Sequence, residues 1–295
     1  EIGPYAFYRC ESLTDVLFGT GAALESIGDY AFSYCLSLTE IVLPESVTAI
    51  GSRAFSQCRS METLSLGRSL TSLGEYAFYS CLSLKEVVLP DTLAQIGGHA
   101  FYRCSGLTSV TFGAALVRIG EYAFYGCSGL TQLAFPTSLT EIGDYAFRSC
   151  GGLTSVILAD HVTAIGIHAF NGARSLTFYC ESLAAGEDWD ARWNSGYRPV
   201  IWGCTLSEDE SYVVSFTKTE EGLLNPEATN GFSAPLRNGY VFAGWRAQTD
   251  GGQVTFGMED ISSIPEGTLL TAVWEEYVPE HEEPSEPETE SSESL

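Results

Sequence analysis

Apolar and polar positions recur in one fixed pattern along the first two thirds of the chain. The motif has the form Ile-Gly-x-Tyr-Ala-Phe-x-x-Cys, and its eight copies begin at residues 2, 27, 50, 73, 96, 119, 142 and 165. The copies are 23 residues apart except for a first interval of 25, whose extra residues fall in the loop between Phe18 and Leu24. A fixed period of this length predicts a solenoid with one coil per repeat.

A second pattern, between these motifs, predicts one short β-strand per coil. In the stretches 38–51 and 107–120, apolar residues occupy positions one, four and six. Strands one period apart must pair in parallel, because every coil returns the chain in the same direction. With neighbouring strands ~4.8 Å apart, eight coils make a rod roughly 40 Å long.

Three columns of nearly constant residues follow from this stacking. We expect Phe to fill the interior between the strand layer and the return segment, and the preceding Ala to let that segment approach closely. Gly, as at Gly28 and Gly51, supplies a turn that a Cβ would obstruct. The aromatic column comprises Phe7, Phe32, Phe55, Phe78, Phe101, Phe124, Phe147 and Phe170.

Together these residues form a unit similar to LTxVxLPxxVTxIGxxAFxxC. Over residues 1–203 the chain resembles the BspA-type leucine-rich repeats of bacterial and protozoan surface proteins. The resemblance implies a leucine-rich-repeat solenoid with a parallel β-sheet on its concave face. It also implies display at the cell surface and adhesion to host proteins or to other cells.

The end of the repeats predicts a cap. Ala173 replaces the expected Cys, and an aromatic-rich segment follows. Trp189 and Trp193 are four residues apart, which predicts one face of a short helix, and PVIWG at 199–203 predicts a final strand. We expect these residues to seal the last Phe layer against water, so that a first domain spans 1–204.

Beyond residue 204 the period is lost, and a small β-rich domain is predicted over 205–275. The segments 212–216, 239–245 and 268–274 are strand-like, with turn signals between them. GYVFAGW and the closing AVW resemble the Listeria-Bacteroides repeat, which implies a β-grasp-like module of bacterial surface proteins. We expect Trp245 and Trp274 to lie in its core.

Charge changes the picture mainly at the carboxyl terminus. The formal net charge is -24, from 38 acids and 14 bases, so nucleic acid and anionic membranes are poor partners. Nine acids and no Lys or Arg lie in 275–295, which predicts an acidic, disordered tail or linker over 276–295. The chain starts inside a repeat and without Met, so we expect a fragment of a longer precursor.

The cysteines, which could bind a metal ion or act in catalysis, are not arranged for either role. Seven cysteines, one per repeat, form a line along the rod and are expected to pack as buried, unpaired thiols. They are Cys10, Cys35, Cys58, Cys81, Cys104, Cys127 and Cys150. Cys180 and Cys204 stand apart, and a disulfide across the cap is the less favoured of two alternatives for them.

Histidines and acids give no stronger signal. His99 and His168 share a column but lie three coils apart, about 15 Å, too far to share a metal ion. Glu187, Asp188 and Asp190 could attract calcium, although a solvated helix start explains such carboxylates more often. We predict no cofactor and no enzymatic activity, since near-identical coils do not supply a pocket with convergent titratable groups.

Two exposed surfaces are predicted. The first consists of two outward strand columns that run from Asp15 and Leu17 to Ser155 and Ile157. On it we place a ligand-binding surface of Glu40, Val42, Thr63, Ser65, Glu86, Val88, Ser109, Thr111 and Gln132. The second is a column of Tyr5, Tyr30, Arg53, Tyr76, His99, Tyr122, Tyr145 and His168, with Tyr8, Tyr79, Tyr102 and Tyr125 nearby. Shielding of the return segment is the favoured role for this column, over ligand binding.

Three classes of function remain. The favoured one is an extracellular binding or adhesion protein, secreted or at the cell surface, whose ligand is a protein or glycan, host-derived ligands included. A structural spacer that displays other modules is the alternative. An enzyme is the least favoured class.

Overall fold

The computed structural model describes residues 1–19, 21, 23–208, 212–218, 223–224, 233–235, 237, 240–249 and 252–277. Beyond Tyr277 the predicted acidic tail lies outside these residues.

Each complete coil contains two short parallel strands, one more than the sequence pattern predicts. The additional strand is formed by the residues just before the motif glycine, and it pairs with its equivalents in the neighbouring coils. In chain order the sixteen strands are β1 Ser26–Ile27, β2 Glu40–Val42, β3 Ala49–Ile50, β4 Thr63–Ser65, β5 Ser72–Leu73, β6 Glu86–Val88, β7 Gln95–Ile96, β8 Ser109–Thr111, β9 Arg118–Ile119, β10 Gln132–Leu133, β11 Glu141–Ile142, β12 Ser155–Leu158, β13 Ala164–Ile165, β14 Thr177–Cys180, β15 Asp188–Trp189 and β16 Val200–Ile201.

The pairing of these strands confirms the predicted period and direction. Within the even-numbered row, Glu40 of β2 pairs in parallel with Thr63 of β4, one period further on. The odd-numbered row has the same register, as where Gln95 of β7 pairs with Arg118 of β9. In the first coil an isolated bridge from Ile2 to Ile27 takes the place of a strand. The two rows form two sides of one parallel β-solenoid.

The return segments, which carry the repeated motif, provide a third line of contact between coils. The N–H groups of Tyr30, Phe32 and Tyr34 donate to backbone carbonyls of the next coil at 2.7–2.9 Å. Tyr30 and Tyr34 have φ angles of 58° and 63°, in the left-handed region. Because these N–H groups are satisfied by the next coil, the chain can turn tightly here without leaving buried donors unpaired.

Phenylalanines stack through the centre of the solenoid as the sequence predicts. Consecutive rings such as Phe32 and Phe55 are nearly parallel, at 2°, with centroids 5.2 Å apart. Each column member from Phe32 to Phe170 is buried, whereas Phe7 in the first coil is 39% exposed. The motif glycines allow this close stacking, since a Cβ on Gly74 would lie 2.5 Å from the carbonyl carbon of Gly51.

The cap is a ninth, incomplete coil, and the prediction of a helix at Trp189 and Trp193 is wrong. Asp188 and Trp189 form β15, which pairs in parallel with Ala164 and Ile165 of β13. Both Trp side chains are buried, and Trp193 makes an edge contact with Phe178, 4.8 Å between ring centroids. A spacing of four residues between the two Trp side chains also fits a strand followed by a turn, so the spacing alone did not distinguish a helix from that arrangement. The predicted final strand is present as β16.

A five-stranded antiparallel sheet follows the solenoid. Across the sheet the strands follow one another in the order Cys204–Leu206, Val213–Thr217, Leu269–Glu276, Tyr240–Thr249 and Gly252–Phe256. A 3₁₀ helix, Met258–Ser263, precedes the last strand in the chain. Phe216, Trp245, Ile261 and Leu270 are buried between its elements. The remaining strands are β17 Cys204–Leu206, β18 Val213–Thr217, β19 Leu223–Leu224, β20 Tyr240–Thr249, β21 Gly252–Phe256 and β22 Leu269–Glu276.

The core of this sheet is continuous with the outer side of the last even-numbered strands. Ile157, Tyr179 and Ile201, which point outward from β12, β14 and β16, pack into one buried cluster with Phe216 and Trp245. The strand β19 pairs antiparallel with β16 and so extends the solenoid sheet. Ile157 was predicted to be exposed in the outward columns, together with Ser155, and both are buried, at 8% and 3% exposure.

Candidate binding surfaces

All nine predicted binding residues lie on one side of the solenoid, which we call the strand face. It consists of the outward side chains of β2, β4, β6, β8 and β10, in coils two to six. Every one of the nine is exposed, and each alternates with an inward side chain such as Ile41, Val87 or Leu133. The two-residue alternation of a β-strand therefore separates core from surface here.

The strand face combines apolar and acidic side chains. Val42 is 51% exposed and Val88 is 61% exposed, which is unusual for valine in a stacked sheet. Glu40 and Glu86 lie two residues before them, and the exposed Glu62 and Lys85 each precede a strand. The outward column of Val42, Ser65, Val88 and Thr111 therefore presents apolar side chains in alternation with hydroxyl groups.

The β domain closes one end of the strand face. Outward residues are exposed up to Ala134 and become buried from Ser155 onward. Thr177 accepts a hydrogen bond from the Ser233 N–H at 2.7 Å, and the Tyr179 hydroxyl donates to the Ser233 carbonyl. The free part of the face is thus shorter than the seven coils expected from sequence. The sequence does contain a signal for burial of these positions by another part of the chain. Three successive outward positions carry large apolar residues, namely Ile157, Tyr179 and Ile201.

Tyrosine rings on the return segments stack on one another along the rod. Tyr122 and Tyr145 lie 4.7 Å apart at 13°, and His99 stacks between Tyr76 and Tyr122 at 4.3 and 4.8 Å. Since neighbouring rings cover their faces, these side chains present edges and hydroxyl groups to solvent. A sugar that stacks on an aromatic face has no platform within this column, which favours the shielding role.

All nine cysteines, including Cys180 and Cys204, are free thiols, and eight of them are buried. The prediction of burial is wrong for Cys10, which is exposed because the first coil is covered by a neighbouring coil on one side only. Those from Cys35 to Cys150 donate through Sγ to the Phe carbonyl of the preceding coil, as Cys58 does to Phe32 at 3.3 Å. Burial raises the pKa of Cys35 to about 11 and that of Cys150 to about 12, so both are neutral near pH 7. Thiols held this way are packing groups and weak metal ligands.

The acids near the cap line an open groove of about 520 Å³. Asp190 accepts from the backbone N–H and Nε of Arg192, which lowers its pKa, and Glu141 forms an ion pair with Arg118 at 3.2 Å. Within the part of the chain that the structure describes, no group of three or more His, Cys, Asp or Glu side chains is placed to hold a metal ion. The carboxylates of Glu187 and Asp188 lie beside a strand, where a helix start was expected.

Stacked coils with two parallel strand rows, an interior Phe column and a capped end define a leucine-rich-repeat solenoid. The family model of the BspA type leucine rich repeat region matches with six copies, over residues 1–114 and 94–182. The chain therefore belongs to the BspA-type leucine-rich repeat family, whose solenoids are typically non-catalytic.

Solved structures include several similar solenoids. A leucine-rich repeat protein from Bacteroides ovatus is 27% identical, with a TM-score of 0.60, and the match covers 68% of this chain and 53% of that one. The T. pallidum leucine rich repeat protein is 34% identical over 52% of this chain and 70% of its own, with a TM-score of 0.48. This chain thus spans about half the length of the Bacteroides ovatus protein. Comparison with curated protein sequences gives no match.

No helix among the described residues is both long and apolar enough to cross a membrane.

Proposed function

We propose that this chain is a secreted or cell-surface binding protein that recognises an extracellular protein through its strand face. The observation that carries the proposal is the exposure of Val42 and Val88 in the same column that, further along, is buried against the β domain at Ile157 and Tyr179. The packing of the molecule's own β domain against the far end of this column supports the strand face as an interaction surface.

The size of the free face suits a macromolecular partner. Five coils, each with two outward side chains, form a regular array that a large partner can span. Such an array can approach the ~800 Å² that each partner contributes to an ordinary protein interface. Glu40, Glu62 and Glu86 lie near the exposed Val42 and Val88, so a partner with basic groups around apolar contacts is favoured. A glycan ligand, host-derived or microbial, is the other class that the strand face could accept.

The surface location is part of the proposal and follows from membership of the BspA-type family. We also propose that the antiparallel sheet over 205–275 is a Listeria-Bacteroides-like module. YVFAGW at 240–245 forms the first part of β20, and the closing AVW lies in β22 beside it, which supports this assignment.

A structural spacer remains the second candidate, because the β domain is packed firmly onto the last coils. If the chain is only a spacer, substitution of Val42 or Val88 should not change any binding interaction. The two candidates therefore differ in whether substitutions on the strand face change an interaction.

Binding to arrays of extracellular-matrix proteins and glycans first identifies a ligand, and paired variants then locate its site. Glu40→Lys with Glu86→Lys should weaken binding at least tenfold and lower its salt dependence. Tyr76→Ala with Tyr122→Ala, on the return segments, should change affinity less. The opposite ranking, in variants with unchanged melting temperature, would move the site off the strand face. Absence of any ligand would favour the spacer.

A further inference from the structure

Arginines recur on the return segments in every second coil. Arg9, Arg53, Arg103 and Arg148 lie in the motifs of coils one, three, five and seven, whereas the motifs of coils two, four and six contain no Arg or Lys. They occupy three positions of the motif, the eighth for Arg9 and Arg103, the fourth for Arg53 and the seventh for Arg148. Each coil advances by one inter-strand spacing, so consecutive members lie ~10 Å apart along the axis of the rod. We call the side that carries them the return face.

These guanidinium groups lie against aromatic rings. The Cζ atom of Arg53 is 4.0 Å from the centre of the Tyr76 ring, and that of Arg148 is 5.3 Å from the centre of Tyr145. Ion pairs among the described residues are Arg118 with Glu141 and Arg192 with Asp190. The return-face arginines therefore have no carboxylate partner within that part of the chain. Their planar N–H groups are oriented by the rings and remain able to bind an oxyanion.

Phenol hydroxyls add further donors. Tyr79, Tyr102 and Tyr125 form a second stack beside the first, with centroids 5.1 and 4.7 Å apart. Their hydroxyls make no hydrogen bond to any described residue, so they too can donate outward. Glu75, Glu121 and Asp144 border the face on the side of the odd-numbered strands. On the other side of that border, guanidinium groups and phenol hydroxyls supply hydrogen-bond donors, which favours an anionic ligand.

We infer that the return face binds the acidic segment 278–295 of this chain, from the same or from another copy. The segment lies outside the described residues, and the argument for it comes from its sequence. It contains Pro279, Pro284 and Pro287 and no basic residue apart from His281. Glu280, Glu283 and Glu286 are three residues apart. In the extended conformation favoured by proline-rich segments, three residues span ~9 Å, close to the interval between the arginines.

A labelled synthetic peptide of residues 278–295 tests this inference by fluorescence anisotropy with a full-length chain in which Glu280, Glu283 and Glu286 are changed to Gln. These changes keep the chain's own segment from competing with the peptide. We expect saturable binding that weakens as salt rises from ~50 to ~300 mM. Arg103→Gln with Arg148→Gln should reduce affinity at least tenfold. The matched control, Arg118→Gln with Arg192→Gln, removes the same charge from ion-paired sites and should change affinity less than twofold. A peptide with Glu280, Glu283 and Glu286 changed to Gln should fail to bind.

Several outcomes would overturn the inference. An equal loss of peptide affinity in the two double arginine variants would mean that affinity depends only on the net charge of the chain. Absence of peptide binding, combined with arginine-dependent binding of heparin, would assign the face to a sulfated glycan. Melting temperatures of all variants check that the fold is retained. Binding of the peptide should be unaffected by Glu40→Lys with Glu86→Lys, which keeps this test separate from that of the strand face.

Discussion

At the scale of single residues, the fold depends on the glycine of each repeated motif, which has no side chain. The motif glycines have ordinary negative or extended φ angles, since none of them is among the residues with positive φ. Their role is close approach, because the backbone of the preceding coil occupies the position of a Cβ. The left-handed positions of each coil instead carry residues such as Tyr122 and His99, with φ angles of 55° and 58°.

This distinction predicts different costs for two glycine substitutions. Gly74→Ala should destabilise the chain by about 1–3 kcal/mol, because its Cβ would clash with the backbone of Gly51. Gly151→Ala is the matched control, since no atom lies within 4 Å of the added Cβ. Urea unfolding measures both. A control that proves as costly as Gly74→Ala would contradict the close-approach explanation.

The thiol column makes a second prediction at this scale. Burial that raises the pKa of Cys35 and Cys150 leaves little thiolate at pH 8, so the eight buried thiols of the native chain should react slowly with a thiol reagent. The exposed Cys10 should react quickly. Denatured chain should release all nine thiols of the sequence. Titration without reductant provides the count. A value of seven would reveal a disulfide between two of the cysteines, most simply Cys180 and Cys204.

At the scale of elements, each coil is stable only when both its neighbours cover it. The last complete coil ends with Phe170, whose ring meets Phe178 edge-on at 5.2 Å, and Phe178 in turn meets Trp193. The parallel aromatic stack therefore ends in perpendicular contacts, which close it against water. Terminal repeats of solenoids generally need such a cap.

Removal of one cap residue should have a large effect. Trp193→Ala in the full chain should cost about 3–5 kcal/mol, because Trp193 is 6% exposed and packs on Phe178 and Trp189. Leu183→Ala, at a site that is 84% exposed, is the control within the same segment. Thermal unfolding compares them. Equal melting temperatures would show that Trp193 does not seal the stack.

Periodicity explains which elements could be predicted. A fixed period gave the coil, the even-numbered strands and their parallel register, because these depend on the same inward side chains in every repeat. The odd-numbered strands could not be predicted, since two residues such as Ala49 and Ile50 carry no alternation. Trp189 was assigned to a helix for a related reason, as spacing alone does not define backbone hydrogen bonds.

The strand-face residues were also placed by periodicity, because the alternation of exposed Glu40 and Val42 around buried Ile41 is local. The residues that bury Ile157, in contrast, are distant from it in the sequence. Its burial depends on a sheet whose first strand begins at Cys204, two repeat lengths later in the chain, and a single repeat contains no information about that contact.

At the scale of the whole molecule, two architectures share one buried cluster. The cluster joins Ile157, Tyr179 and Ile201 of the solenoid to Val213 and Trp245 of the β domain. Joint burial predicts that the two parts unfold together, since separating them would expose apolar surface on both.

Ile157→Glu should uncouple the two parts. The side chain points outward from β12, so the substitution spares the solenoid interior and places a charge against the β domain. Calorimetry should show one transition for the parent chain and two for this variant. Val88→Glu is the control in the same column, at a position that is 61% exposed. A single transition for Ile157→Glu would mean that the interface contributes little to stability.

The β domain covers the strand face at one fixed position, β12, so the length of the exposed face depends only on the number of coils before that strand. Because the paired strands from β2 to β12 are 23 residues apart, the length of the strand face can be given as a whole number of coils counted back from β12. Insertion of one further 23-residue copy between coils three and four would lengthen the open face by ~4.8 Å and leave the docked end unaltered. A protein built in this way can change the footprint it offers by duplicating or deleting a repeat, with no new fold and no redesign of its terminus.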